Sequence, residues 1–195
     1  MTQTLRDDLR LIYDWIPERA HVLDLGCGGG ELLAALMQHK HCTGYGVEID
    51  PASVQAAIER GVNVIQADLE RGLSAFADGS FDIIVLSQTI QAMQNTETIL
   101  RDLTRIAGQA VVTFPNFGYW KNRLQIALGG HMPVSERMPY QWYNTPNIHW
   151  CTLQDFDALC AKNRIRVLER AVMTAGRRVS ILPNLLGSLA FYRVG

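Results

Sequence analysis

The chain has 195 residues, 48% hydrophobic and 19% charged, enough for one well-cored domain and too few for two full ones. Its 18 basic and 19 acidic side chains give a formal charge of -1, which argues against nucleic acid or an anionic membrane as a partner. No apolar run approaches membrane-spanning length, the charged start lacks a signal peptide's apolar core, and Cys27, Cys42, Cys151 and Cys160 form no Cys-x-x-Cys pair, so a cytoplasmic protein with free thiols is expected.

Leu5, Leu9, Ile12 and Ile16 recur at helical spacing, with Thr4 and Asp7 as a candidate capping pair and Pro17 as the stop. This amphipathic helix should lie against the body, with Tyr13 and Trp15 packing rather than covering a ligand. Next comes Val-Leu-Asp-Leu-Gly-Cys-Gly-Gly-Gly at 22–30, an apolar strand running into glycines at the alternate positions Gly26, Gly28 and Gly30. A helix opens at Glu31. Strand, glycine turn and helix together form a seat for a nucleotide-like ligand. Asp24 precedes the first glycine by two residues, and Glu31 stands where a dinucleotide fingerprint places Gly or Ala. A pyrophosphate would meet carboxylates there, which disfavours a nicotinamide cofactor. A ligand with an amine, a sulfonium and a ribose but no phosphate would be accepted, and S-adenosylmethionine fits that description.

A second strand, 43–49, ends in Gly-Val-Glu-Ile-Asp. Glu48 falls 18 positions beyond Gly30, near the roughly 20-residue offset at which an acidic side chain takes the ribose hydroxyls. Asp50 followed by Pro51 reads as a helix N-cap. A third strand, 62–67, ends at Asp68 and Leu69, a carboxylate for an exocyclic amine and an apolar neighbour for a base face. The continuous apolar run from Phe81 suits a central parallel strand and ends at Ser87. A helix over 96–106 and a fifth strand over 110–114 follow. This alternation predicts an α/β, doubly wound, mostly parallel sheet with helices on both faces, whose ligand sits beyond the carboxyl ends of the strands. Asp24, Gly26, Cys27, Gly28, Gly30, Glu48, Ile49, Asp68, Leu69 and Ser87 all fall on that edge and are the candidate cofactor-binding residues.

The segment 114–150 breaks the alternation and holds eight of the chain's sixteen aromatics. Pro115, Pro133, Pro139, Pro146 and Gly129-Gly130 make one long helix through it improbable. An insertion of this length usually has a task, either walling a pocket or docking a partner, and Arg123 and Arg137 are its charged residues to watch. Thr152 and Asp155 form a capping box. Strands over 165–172 and 189–194 then complete seven, the last antiparallel and closing as a hairpin at the sheet edge. His131 and His149 are candidate bases that suit structural roles better, so no catalytic residue is assigned. His39, His41 and Cys42 lie on a surface connection and are not read as metal ligands.

With these positions in hand, the sequence resembles class I S-adenosylmethionine-dependent methyltransferases over nearly its whole length, as one domain spanning 1–195. The match is carried by Asp-Leu-Gly-Cys-Gly-Gly-Gly at 24–30, Glu48, Asp68 and the strand ending at Ser87. No Asn-Pro-Pro-Tyr signature follows the fourth strand; Ser87-Gln-Thr-Ile stands there, which disfavours amino methylation of a base or glutamine. More narrowly, Phe114-Pro-Asn-Phe-Gly-Tyr-Trp-Lys-Asn-Arg, Gly-His-Met-Pro-Val at 130–134 and Trp142-Tyr-Asn-Thr-Pro-Asn-Ile-His-Trp-Cys-Thr resemble the MetW family of methionine biosynthesis proteins. That resemblance implies a bacterial protein that binds S-adenosylmethionine or S-adenosylhomocysteine and associates with and activates a homoserine O-acyltransferase (MetX), with 114–150 as the contact. The alternative is an active small-molecule methyltransferase with its acceptor under the same segment.

Overall fold

The computed structural model describes residues 5–195, so the Thr4 cap lies outside the described residues. The first helix, α1 (Asp7–Trp15), starts after Arg6, which makes no side-chain cap. The elements then alternate as β1 (His21–Leu25), α2 (Glu31–Lys40), β2 (Thr43–Glu48), α3 (Pro51–Glu59), β3 (Val64–Gln66), α4 (Leu69–Gly72), β4 (Ile83–Ser87), α5 (Thr96–Ile106) and β5 (Ala110–Pro115). After them come α6 (Trp120–Gly129), α7 (Leu153–Lys162), β6 (Val167–Thr174), β7 (Arg177–Arg178), α8 (Pro183–Leu186) and β8 (Leu189–Val194).

The strands form one sheet in the order β3-β2-β1-β4-β5-β8-β6-β7. β1 pairs in parallel with both β2 and β4, and β4 with β5. The chain therefore winds outward in one direction through β2 and β3, and in the other through β4 and β5. The reversal between β1 and β4 opens a crevice at their carboxyl ends. Seven principal strands match expectation, and the two-residue β7 adds an eighth at the edge. The last strand, however, is not at the edge. β8 inserts between β5 and β6, antiparallel to both, and so fills a central position. β3 is shorter than expected because Val62 still belongs to the turn closing α3, its N–H donating to Ala57 O at 3.0 Å.

Alternation along the strands gives the sheet two cores, since successive side chains leave opposite faces. Leu23, Leu25, Ile84, Leu86, Val112 and Phe114 join Leu100, Leu103 and Phe156 from α5 and α7. Val22, Ile83, Val85, Val111 and Phe191 join Ile12, Leu33 and Ala57 from α1, α2 and α3. The central strands β4 and β5 are almost wholly apolar and buried because both faces are covered. Trp15 and Tyr13 pack as expected, Trp15 edge-on to Phe191 and Tyr13 beneath the Lys40 ammonium.

Beyond β5 one ten-residue helix, α6, fits before Gly130, whose φ of +65° ends it. The buried Asn116 anchors the start of this segment. Its amide donates to Asn184 O (3.0 Å) and Gly187 O (2.8 Å) and accepts from Gly118 N (3.0 Å). Asn122, also buried, donates back to Asn116 O and Phe117 O. The Phe114-Pro-Asn-Phe-Gly string is thus a polar knot joining the end of β5 to α8. Asn116→Ala leaves these buried groups unpaired and is expected to lower stability by about 2–4 kcal/mol, read from the urea midpoint. An unchanged midpoint would deny the knot its structural role.

Candidate functional site

The glycine turn hangs from β2. Gly26 N and Cys27 N both donate to Val47 O, at 2.8 and 3.2 Å. Gly26, Gly28 and Gly30 take φ of +75°, +53° and +74°, values that disfavour any side chain. At Gly26 a Cβ would also strike the Thr89 side chain, whereas at Gly28 nothing lies within 4 Å of its place. The space beside Gly28 is therefore open to a ligand.

Glu48, half-buried at the end of β2, holds this turn. Its Oε2 accepts from Gly28 N at 2.9 Å, and its Oε1 from Ile49 N (2.8 Å) and Asp50 N (3.0 Å). With about two lone pairs per oxygen, Oε1 is filled and Oε2 keeps one place. Taking both ribose hydroxyls would thus require release of one backbone N–H. Asp50 caps α3 as expected, accepting from Ser53 N at 2.9 Å.

Asp24, in β1, is buried against the loop, and its pKa is raised to about 7, first by burial and then by the charge of Glu48. Burial likewise pushes the Cys27 thiol up to about 12, with Asp24 and Glu48 adding, so Cys27 is a neutral packing group. Its sulfur fills the space a Cβ would need at Gly46. Glu31 lies 3.9 Å from Arg6 and 3.8 Å from Arg60. The two guanidiniums offset its charge, so Glu31 contributes little to repelling a pyrophosphate. Asp24, Gly26, Cys27, Gly28, Glu31 and Ser87, with Arg6 and Leu9 of the α1 region, enclose a cavity of about 200 Å³.

The remaining predicted residues divide. Ile49 is 62% exposed beside Glu48, an apolar surface at the strand edge. Ser87 lines the crevice, and its Oγ lies 3.3 Å from Thr113 Oγ1. Asp68 caps α4, accepting from Glu70 N at 3.0 Å. Leu69, 8% exposed, belongs to the core cluster that also holds Leu73 and Ile90. His131 and His149 do not line the crevice, and His149 faces Gln94 O at 3.4 Å. His39 and His41 are exposed while Cys42 turns inward to Pro17 O, which splits that cluster. Among the described residues no group of three or more His, Cys, Asp and Glu could hold a metal ion. A larger cavity, about 600 Å³, lies between the starts of α5 and α7, and no residue lining it lines the crevice.

Sequence reasoning missed Asp8, Arg6 and Gln88. Asp8 is buried, accepts from Gln88 Nε2 at 2.9 Å, and lies near Arg6 (3.6 Å) and Arg137 (3.8 Å). A signal existed: Asp8 stands four residues before Ile12, on the apolar side of α1, where a carboxylate must find partners.

The model of the family described as methionine biosynthesis protein MetW matches residues 6–194. The bifunctional methionine biosynthesis protein MetXA/MetW of Rhodopirellula baltica is 33% identical over 190 residues, 93% of this chain. The chain spans 30% of that relative's length. Among solved structures, an S-adenosylmethionine-dependent methyltransferase from Mesorhizobium loti aligns with TM-score 0.70 at 15% identity, covering 97% of each chain. One from Thermotoga maritima aligns with TM-score 0.69 at 18% identity, covering 96% of this chain and 86% of its own. At such identities these two show the fold: that of the S-adenosylmethionine-dependent methyltransferases, with a mostly parallel sheet and antiparallel pairing at its C-terminal strands.

The raised pKa of Asp24 has a consequence for stability. The folded chain holds a proton that the unfolded chain, with an ordinary carboxyl near 3.8, releases first. Stability should therefore fall as pH rises from about 4 to about 7 and level off above. Asp24→Asn is expected to remove that slope and to raise stability at pH 8 by roughly 2–4 kcal/mol, read from urea unfolding across pH. The same slope in the variant would place the titrating group elsewhere.

Proposed function

The chain belongs to the MetW family, and from that premise we propose that it is a cytoplasmic, one-domain S-adenosylmethionine-binding protein that associates with and activates a homoserine O-acyltransferase (MetX). The observation that carries the partnership is the relative in which MetXA and MetW are named together in one chain. Covalent joining replaces association by a high effective concentration, which suits two proteins that otherwise meet as separate chains. The segment 114–150 is the proposed contact. It exposes Trp142 (73%) and Tyr143 (70%), set edge to face with ring centres 5.8 Å apart, and Leu128 (83%). Aromatic side chains of this kind are typical interface anchors. No described helix is long and apolar enough to cross a membrane.

The crevice suits S-adenosylmethionine or S-adenosylhomocysteine. Gly28 leaves room for a ligand, Glu48 retains acceptor capacity for ribose, Ile49 offers an apolar face, and the close acidic pair of Asp24 and Glu48 favours positive charge. Asp68 stands at the neighbouring strand end and Ser87 across the crevice. When bound, S-adenosylmethionine supplies an electrophilic methyl group on its sulfonium. The chain's own residues orient and shield it, and alignment is the chief requirement of such a transfer. A second reading, a small-molecule methyltransferase, is favoured by the charged surface around Asp8 and Arg137 beside the crevice.

Three measurements test these readings. Glu48→Gln, whose amide nitrogen would face one of the backbone N–H groups that the carboxylate accepts, should weaken S-adenosylhomocysteine binding at least about tenfold and lower the melting temperature as well. Unchanged affinity would move the ligand away from β2. Acyl transfer to homoserine by the candidate partner, with and without this chain, should rise on mixing, and Trp142→Ala should weaken the complex by about thirtyfold. An acyltransferase indifferent to this chain, together with S-adenosylhomocysteine formation from a metabolite fraction, would shift the reading to methyl transfer.

A further inference from the structure

Beside the crevice, and sharing Arg6 with it, opens a second cavity of about 360 Å³ between the α1 region, the turn after β4 and the segment 136–147. Its charged walls are balanced. Asp8 and Glu136 are anionic, Arg6 and Arg137 cationic, and all four line it. Glu136 and Arg137 are presented by a tight turn whose ends pair through Ser135 N to Met138 O and Met138 N to Ser135 O, both 3.0 Å, with Met138 buried beneath.

Three observations mark this cavity as a built site rather than a surface dent. First, Arg6 and Arg137 stand 3.6 and 3.8 Å from the Asp8 carboxylate, beyond hydrogen-bond length, so their guanidinium forks keep donors free for another carboxylate. Second, Gln91 is buried on the wall. Its Nε2 donates to Gln88 O at 2.7 Å, which fixes the amide against the turn after β4. Third, Gln88 holds a φ of +52°, a strained value for a non-glycine residue, kept by its N–H on Thr113 O and Oγ1 and by its side chain on Asp8. Spare guanidinium donors, a buried amide and a strained residue meet around one small volume.

We propose that this cavity binds a free α-amino acid, its carboxylate on Arg137 and Arg6 and its ammonium on Glu136. A ligand carrying one charge of each sign matches balanced walls. A singly charged ligand of the same size would leave a cation or an anion of the wall without its complement. The proposal rests on the cofactor reading only for what the neighbouring crevice holds.

The test is calorimetric titration of the full chain with each of the twenty proteinogenic L-amino acids and L-homoserine, with and without saturating S-adenosylhomocysteine. At least one free amino acid should bind, and its methyl ester and N-acetyl derivative should each bind at least about tenfold more weakly. Arg137→Gln, at a half-buried turn position, should weaken the free amino acid by about ten- to a hundredfold. Its affinity for S-adenosylhomocysteine should stay unchanged. Binding by no amino acid, equal binding of the blocked derivatives, or an indifferent Arg137→Gln overturns the proposal. Retained S-adenosylhomocysteine binding in such a result leaves the cofactor reading standing, whereas amino-acid binding without it overturns that reading alone.

Discussion

The Glu48 carboxylate is the constraint on which the ligand edge of this fold depends. By accepting the N–H groups of Gly28, Ile49 and Asp50, it fastens the glycine turn to the end of β2 and prepares the start of α3. A turn with three left-handed glycines has many conformations to lose, and a charge-assisted acceptor at its middle selects one. The same charge reaches Asp24 across the loop and helps to keep that buried carboxyl protonated. Loop shape and local charge are thus one problem, and a cationic ligand would relieve the electrostatic half of it.

The second half of the chain builds on that frame from the other side of the sheet. The buried Asn116 ties the end of β5 to the loop around α8, so the segment beyond it leaves the core in a fixed direction. The segment returns to the sheet at Gln91, whose carbonyl accepts both Ile148 N (2.8 Å) and His149 N (2.9 Å). Between those anchors it turns Arg137 toward Asp8 and leaves Trp142 and Tyr143 outside. One insertion therefore presents a charged inner surface and an aromatic outer one.

Asp8 shows how a buried charge organises elements far apart in sequence. It is held by Gln88 from the β4 turn and approached by Arg137 from the insertion. A carboxylate stripped of water needs such partners, and finding them brings α1, β4 and the insertion into register. The helix ahead of the first strand thereby becomes a wall of the site rather than a mere cover for the sheet.

The sequence by itself determined the elements whose rules are local. Helical spacing placed α5 and α7, apolar runs placed β1, β4 and β5, Asp50-Pro51 and Thr152 with Asp155 marked helix starts, and the glycine spacing with Glu48 located the crevice. These are legible because each depends on neighbours a few residues apart and on which faces are buried. Tertiary structure alone decided the rest. β8 slots between β5 and β6 because pairing is settled by competition among strands, not by chain order. Leu69 joins the core cluster because the direction of α4 is set by what it packs against. The partners of Asp8 are 80 and 129 residues away, and only burial, which makes an unpaired charge costly, brings them together.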